Sequence, residues 1–451
     1  MGLAMTDILQ LRGLKTLSVD STDEAYAIIA EGRYLPTACP ECGSSRLYGH
    51  GTHEQSFRDT PIHGKTVEIK VNRRRYRCQG CGKTLFDPIP DLDGKRFATT
   101  RLVAYVRTAC FRETFAAVAR RVAMDEKTVR QIFADHVDEL RTTIRFVTPR
   151  FLGIDEIKII GDYRAMITNI EHQTLFDMLE SRRKPDLLAY FKLLRDRDRV
   201  EWVAMDMYHV YRQVVRATLP EARIVVDRFH IQRMANDALE KLRKRLRKTL
   251  PERQRLKLKD ERFLLLKRQH NLKPQSMATL LEWLRRFPEL SEAHALKEGF
   301  MAIWDHEDRS AAEDAFTRWL GNVTPDMKAV FKDLLSAMAN WYDEIFAYFE
   351  QPITNAYTEA VNGLAKGMNR MGRGYSFDVI RARMLYDPKA RKAGSVQVLE
   401  PAPDPDDVGM VMKYMTTREL SRPVRMRRRT IEYGAHIPTL VELLSTGHFE
   451  D

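Results

Sequence analysis

Four acidic residues could together hold a metal, and one of them stands where an acid is costly. Asp155 lies inside the apolar run Phe151-Leu-Gly-Ile-Asp-Glu-Ile-Lys-Ile-Ile, Asp206 closes Val200-Glu-Trp-Val-Ala-Met-Asp, and Asp227 closes Ala222-Arg-Ile-Val-Val-Asp. Glu359 comes much later, in Ile353-Thr-Asn-Ala-Tyr-Thr-Glu-Ala-Val-Asn-Gly-Leu-Ala-Lys-Gly-Met-Asn-Arg370. A carboxylate taken out of water needs a partner of opposite charge. Carboxylates drawn from separate elements suit a hard cation such as Mg2+ (or Mn2+), which keeps several waters and needs few protein oxygens. Two such ions about 3.5–4 Å apart serve the cutting and rejoining of phosphodiesters without a covalent intermediate. Asp155 is the candidate to bridge both ions, Glu359 is another ligand, and the second Asp is either Asp206 or Asp227.

The elements around these acids follow from periodicity. Residues 151–160, 163–171, 173–179, 200–206 and 222–227 read as strands, with helices at 185–194 and 208–219. That order is α/β with a mixed sheet. With acids at strand ends and a later helix bringing a Glu, it describes a ribonuclease-H-like fold. On the Glu helix, Glu359, Asn362, Lys366 and Arg370 fall at i, i+3, i+7 and i+11 and share a face, while Val361, Leu364, Ala365 and Met368 take another. An acid, an amide and two cations in a row suit a metal ion beside a phosphate backbone, and Arg373 follows in the next turn.

A second chemistry sits near the N-terminus. Cys39-Pro-Glu-Cys42 and Cys78-Gln-Gly-Cys81, each followed by Gly, match a tetrahedral four-thiolate zinc site. Four thiolates leave no open position, so one structural Zn2+ is expected. The 35 residues between the knuckles include the alternating Val67, Ile69 and Val71, and then Arg73, Arg74, Arg75 and Arg77. Residues 37–86 therefore read as a zinc ribbon with a β-hairpin insert and a basic, DNA-facing edge. Downstream, Thr114 to Phe133 has the spacing of a helix-turn-helix. Asp125 caps its second helix, Val129, Ile132 and Phe133 turn inward, and Lys127, Thr128, Arg130 and Gln131 face a DNA groove.

The remaining chain divides by composition. Residues 1–36 form a lead-in segment with a helix at 22–29; the Pro- and Asp-rich 86–97 reads as a linker; 98–148 is the helix-turn-helix domain; 150–228 is the first part of the catalytic core. Residues 229–350 form an all-helical insertion whose stretch 240–268 carries 13 Lys/Arg against 4 Asp/Glu, an excess that reads as contact with DNA backbone. Its Trp283, Trp304, Trp319 and Trp341 are expected in its core. Residues 351–393 complete the catalytic core. Residues 394–451 read as a loose linker and a basic tail, with a short helix at 438–444.

The totals narrow the function class. The chain has 451 residues, a formal net charge of +12 and a pI near 9.4. Such a protein most often meets a polyanion, and nucleic acid is the usual one. No apolar run reaches about 18 residues and no signal pattern opens the chain, so a cytoplasmic, nucleoid-associated protein without a membrane partner is expected. Five cysteines in that compartment do not imply disulfides.

Together the paired Cys-x-x-Cys, the helix-turn-helix, Gly153-Ile-Asp-Glu, Val225-Val-Asp-Arg-Phe-His-Ile and Thr354-Asn-Ala-Tyr-Thr-Glu-Ala-Val-Asn-Gly-Leu-Ala-Lys resemble the DDE transposases of bacterial insertion sequences, of the zinc-ribbon group (the ISL-three family). The resemblance spans roughly residues 39–385. It implies a DNA-binding N-terminal half, a ribonuclease-H-like core with a helical insertion, and metal-dependent cleavage and strand transfer at terminal inverted repeats. It also implies a homodimer or higher oligomer on double-stranded DNA, since two element ends must be paired. Asp227 and His230 resemble the Asp-x-x-His pair that related enzymes carry beside their triad, which leaves Asp155, Asp206 and Glu359 as the triad. Ala360 stands where the family often has Gly. Two other readings share many of these features: a DNA-binding regulator with an inactive nuclease-like core, and a hydrolytic nuclease without strand transfer.

Overall fold

The computed structural model describes residues 8–372, 374–387, 396–401 and 426–431. The chain divides into two compact units, one from the described parts of Met1–Val147 and Gly367–Asp451, the other Thr148–Lys366.

The first unit opens with strands β1 (Leu14–Ser21), β2 (Ala25–Gly32), β3 (Leu47–Ile62), β4 (Lys65–Cys78), β5 (Thr84–Phe86), β6 (Leu92–Asp93) and β7 (Ala98–Thr99). They form one sheet in the order β1-β2-β4-β3-β7-β6, with β5 on β4. The helix expected at 22–29 is thus a turn and a strand, and residues 14–32 belong to this sheet rather than to a separate lead-in. Ile28, Ala30 and Gly32 are buried while Ile29 is exposed, a period of two. β2 lies parallel to β4 with Ile28 opposite Ile69, a long-range pairing that local propensity does not contain. The β3–β4 hairpin turns at His63 and Gly64, both with positive φ. Leu14, Ile28, Phe57, Val67, Ile69, Val71 and Ile89 make its core.

The Pro- and Asp-rich stretch 86–97 is a packed lap over this sheet rather than a linker. Ile89 joins the core, Asp91 Oδ2 accepts from the Gly13 N–H at 2.6 Å, and Asp87 is buried against Arg73. It reads as a linker because the partners of its acids lie elsewhere in the sequence. Helices α1 (Thr100–Ala109), α2 (Phe115–Val122) and α3 (Glu126–Thr143) follow. Val118, Val122, Val129, Ile132 and Phe133 are buried. The Thr114 and Asp125 side chains cap α2 and α3 by accepting from Ala117 N and Lys127 N, and Ala123 makes the turn at φ 50°.

Strand β8 (Ile144–Phe146) ends this part of the unit.

The second unit carries a sheet of β9 (Phe151–Ile159), β10 (Asp162–Asn169), β11 (Thr174–Leu179), β12 (Trp202–Met205) and β13 (Arg223–Val226), in the order β11-β10-β9-β12-β13. β10 is antiparallel to β9 and β11, and β12 is parallel to β9 and β13. Helices α4 (Lys184–Leu193) and α5 (His209–Thr218) make the crossovers. The helical stretch runs from α6 (Arg228–Arg247) and α7 (Glu252–Asp260) through α8 (Arg262–Leu266), α9 (Pro274–Arg286), α10 (Pro288–Ala302), α11 (Arg309–Gly321), α12 (Pro325–Val330) and α13 (Lys332–Asn340) to α14 (Tyr342–Phe346). Trp283, Trp304, Trp319 and Trp341 are buried in it, as expected. Arg253, Arg255, Lys257 and Lys259 of α7 are exposed, with Leu258 as its buried residue. Helix α15 (Ala356–Met371) then carries Glu359.

Back in the first unit, Tyr375 and, on α16 (Phe377–Tyr386), Arg383 lie against Phe115. Strand β14 (Val396–Pro401) pairs with β8 and with β15 (Met426–Ile431). Residues 396–401 are therefore a strand, not loose linker, because β8 offers them an edge. Arg373, the rest of 402–425 and the helix expected at 438–444 lie outside the described residues.

Candidate functional site

The sheet brings the strand acids level with one another. Met205 pairs with Ile154 and with Val226, so Asp155, Asp206 and Asp227 each fall one residue beyond a paired row. Their surroundings differ. Asp155 is buried at 7% exposure. Its Oδ1 accepts from the Glu156 N–H at 2.7 Å and its Oδ2 from Asn362 Nδ2 at 2.8 Å. Burial first, then the Asp206 and Glu359 carboxylates, lift Asp155 to about 7, against the pull of His230 and Lys366. Burial also raises Asp206, opposed by His230, the Tyr208 N–H and Arg182.

Asp227 is committed elsewhere. It caps α6, its Oδ1 accepting from Phe229 N at 3.0 Å, and its Oδ2 accepts from the Asn355 N–H at 2.8 Å. Asn355 is a fully buried knot just before α15. Its Nδ2 donates to Ile154 O at 3.0 Å and its Oδ1 accepts from the Thr358 hydroxyl, while Thr358 Oγ1 lies 2.7 Å from Thr168 Oγ1. One asparagine thus ties β9, the β13–α6 corner and the start of α15. Gly153 makes room for it: a Cβ there would come within 2.4 Å of Thr168 Oγ1, 2.6 Å of Thr358 Oγ1 and 2.7 Å of Asn355 Oδ1.

Glu359, one residue after Thr358, is 38% exposed, with its Oε1 3.5 Å from His230 Nε2. Asn362 is buried at 4% and also donates to Glu156 O at 3.3 Å; Lys366 and Arg370 are exposed further along α15. Asp206 Oδ1 and Asn362 Oδ1 are buried and make no hydrogen bond. Unpaired buried polar atoms are few in native proteins and call for a missing partner. Two oxygens of this kind in one neighbourhood, beside an acid held near neutrality, fit a site that receives a cation.

The four cysteines make a tighter cluster. Among the described residues they are the one group of three or more Cys, His, Asp or Glu whose donor atoms all lie within 4.8 Å; Asp155, Asp206 and Glu359 do not form such a group. Cys39 Sγ lies 3.7 Å from Cys81 Sγ, and Cys42 Sγ 3.5 Å from Cys78 Sγ. A tetrahedron of sulfurs about 2.3 Å from zinc has edges of about 3.8 Å, so the residues fit that ion. The Cys81 N–H, helped by that of Gly80 and opposed by partial burial, holds the Cys78 thiol down at about 6.

The expected DNA-facing side chains divide. Lys127, Arg130 and Gln131 are exposed on α3 and Thr128 is half-buried. Arg130 is partly engaged by Glu126 and by stacking 4.7 Å from the Phe115 centroid. Arg74, 3.7 Å from Glu31, and Arg75 are half-buried on β4. Arg73 is a correction: only 11% exposed, it pairs with the fully buried Asp87 carboxylate at 2.6 Å and is spent on the fold. Asn355, Thr358 and Gly153 stood in the quoted motifs without roles, because their partners are set only by the packing of α15 on β9.

Comparison with known proteins bears on most of the chain. Residues 152–384 match the transposase domain of family ISL3, residues 35–81 match the zinc-finger of transposase IS204/IS1001/IS1096/IS1165, and residues 88–137 match the helix-turn-helix domain of transposase family ISL3. The chain is 25% identical over 376 residues to the transposase for insertion sequence element IS1001 of Bordetella parapertussis, covering 79% of this chain and 91% of that protein. It is 23% identical over 369 residues to the transposase for insertion sequence element IS1557 of Mycobacterium tuberculosis (strain ATCC 25618 / H37Rv), covering 75% and 82%.

Proposed function

The chain belongs to the ISL3 family of transposases, and we propose that it binds the terminal inverted repeats of an insertion sequence, cuts the DNA there and transfers the freed ends, with Asp155, Asp206 and Glu359 holding two Mg2+ (or Mn2+) ions. The observation that carries this reading is the pairing of a buried Asp155, raised to about 7, with the orphaned Oδ1 of Asp206 in the adjoining strand. The sheet order and the later Glu helix support a ribonuclease-H-like core. Bound there, the ions would activate the attacking oxygen and stabilise the leaving one.

The chain's own groups have separable tasks. Asn362 holds the Asp155 carboxylate in one orientation. Asp206 keeps an oxygen free, whereas both Asp227 oxygens are taken up in the Asn355 knot, so Asp206 is the second ligand and Asp227 a positioning acid. His230 stands beside Glu359 and steadies it. Lys366 and Arg370 line the same helix face for phosphates. The zinc ribbon, with one structural Zn2+, and the helix-turn-helix hold double-stranded DNA, and two chains or more pair the element ends on the nucleoid DNA of the cytoplasm.

The test is cleavage of a duplex carrying the inverted repeat that borders the reading frame, with Mg2+ or Mn2+. Asp155→Ala and Glu359→Ala should each abolish cleavage and leave DNA binding intact. Full activity in either variant overturns the triad. A 3′-OH donor that is never joined to target DNA would reduce the enzyme to a nuclease.

A further inference from the structure

Arg182 is the charged group of the acid neighbourhood to which the triad gives no task. It lies between β11 and α4. Its guanidinium carbon is 4.1 Å from the ring centroid of Tyr163, at the start of β10, and 4.9 Å from that of Tyr208, two residues past Asp206. The Tyr208 ring is itself braced edge-on by the buried Tyr211, 5.0 Å away, and the Tyr211 hydroxyl donates to the Asp155 carbonyl at 3.4 Å. One N–H edge of Arg182 is ion-paired with Glu156, the residue after Asp155. The side chain remains 26% exposed and Glu156 30%.

Three features argue for more than a tie between strands. An exposed ion pair alone contributes about 0–1 kcal/mol and needs no aromatic ring on the guanidinium. Two rings within 5 Å of the guanidinium carbon narrow the directions it can face, and a held planar fork is what Arg uses to take two oxygens of a phosphate. The clamp also removes rotamer freedom before any ligand arrives, which lowers the entropy lost on binding. Finally, the clamp is anchored beside the acids, with Tyr208 two residues past Asp206 and Glu156 next to Asp155. A fixed cation there repels a divalent metal, a cost that is offset when the substrate brings its own negative charge.

We propose that Arg182 is a substrate-binding residue of the transposition reaction: clamped by Tyr163 and Tyr208, it grips the non-bridging oxygens of a DNA phosphate beside the one being cut, and Glu156 holds it in readiness. This rests on the reading that Asp155, Asp206 and Glu359 form the catalytic centre.

The experiment uses the full chain and duplexes spanning the inverted repeat, each with one neutral methylphosphonate near the cleavage site. At one such position the wild type should slow by about 10- to 100-fold, the range of a lost charged hydrogen bond. Arg182→Ala should slow by a similar factor on unmodified DNA. On that modified duplex Arg182→Ala should lose no more than about 3-fold further, because the two changes remove one contact. Arg182→Lys, which keeps the charge without the fork, should recover part of the rate, and unfolding temperatures within about 3 °C of wild type exclude a folding defect. Losses that multiply at every phosphate, or an Arg182→Ala enzyme as fast as wild type, overturn the grip. An active Asp155→Ala instead overturns the catalytic centre itself, so the two failures are distinct.

Discussion

Asp227 Oδ2 accepts a hydrogen bond from the backbone N–H of Asn355, 128 residues away, at 2.8 Å. With Phe229 N on its other oxygen, this acid is fully occupied by protein. Asp227→Ala should therefore lower stability by about 2–4 kcal/mol, the range for stranding buried donors, and reduce cleavage through the displaced helix. Asp206→Asn should abolish cleavage with unfolding unchanged or slightly improved. Thermal melts beside the cleavage assay separate the two; the opposite pattern exchanges their roles.

Gly153→Ala tests the docking of α15. Its new methyl would overlap three side-chain oxygens at 2.4–2.7 Å, and none of these belongs to a long flexible chain. A loss of about 1–3 kcal/mol is expected from overpacking, with cleavage lost more steeply than DNA binding. Wild-type activity in this variant would show that the helix has slack.

The site should also respond to pH. The pKa of Asp155 rises from 3.8 to about 7 on folding, so its neutral form is the stabilising one. That contribution is complete below about pH 4 and is lost as pH climbs through about 7. In a chelator, wild type should lose up to roughly 4 kcal/mol relative to Asp155→Asn across that window. Mg2+ should protect wild type more at pH 8 than at pH 5.5, because the ion must displace a proton at the lower pH. A constant difference between the two proteins from pH 4 to 8 refutes the shift.

Arg73 and Arg75 are neighbours with different duties. Arg73→Ala strands the buried Asp87 carboxylate and should cost about 3–5 kcal/mol. Arg75→Ala should leave the melt in place and flatten the salt dependence of DNA binding by about one phosphate contact. Urea titration and fluorescence anisotropy at several salt concentrations read the two effects.

The zinc site has its own measure. Zinc content should fall from one ion per chain to none in Cys39→Ser with Cys42→Ser, and the 47–86 region should lose protection from proteolysis. Unchanged zinc in that variant refutes the four-thiolate site.

What the residues disclosed in order of sequence was mostly what depends on near neighbours. The knuckle spacing, the Asp125 cap, the inward Val129, Ile132 and Phe133, and the strands bearing Asp155 and Asp206 all follow from short-range chemistry. The segment at 22–29 misled because Ala-rich, mixed residues suit a helix locally, and only the edge of β4 makes them a strand. Residues 86–97 read as a linker because the partners of Asp87 and Asp91, Arg73 and Gly13, lie elsewhere in the sequence. Strand endings present Asp206 and Asp227 alike, and what sets them apart is the hydrogen bond Asp227 makes to Asn355, 128 residues away.

The Asp227–Asn355 bond also closes a ring of chain. The chain between its two ends leaves the sheet as α6 and packs back against it at Ala347 and Ile353. The entropy of closing such a loop grows only logarithmically, about 0.6 kcal/mol for each doubling of length. Lengthening or shortening the helical stretch away from those two residues therefore costs the closure little.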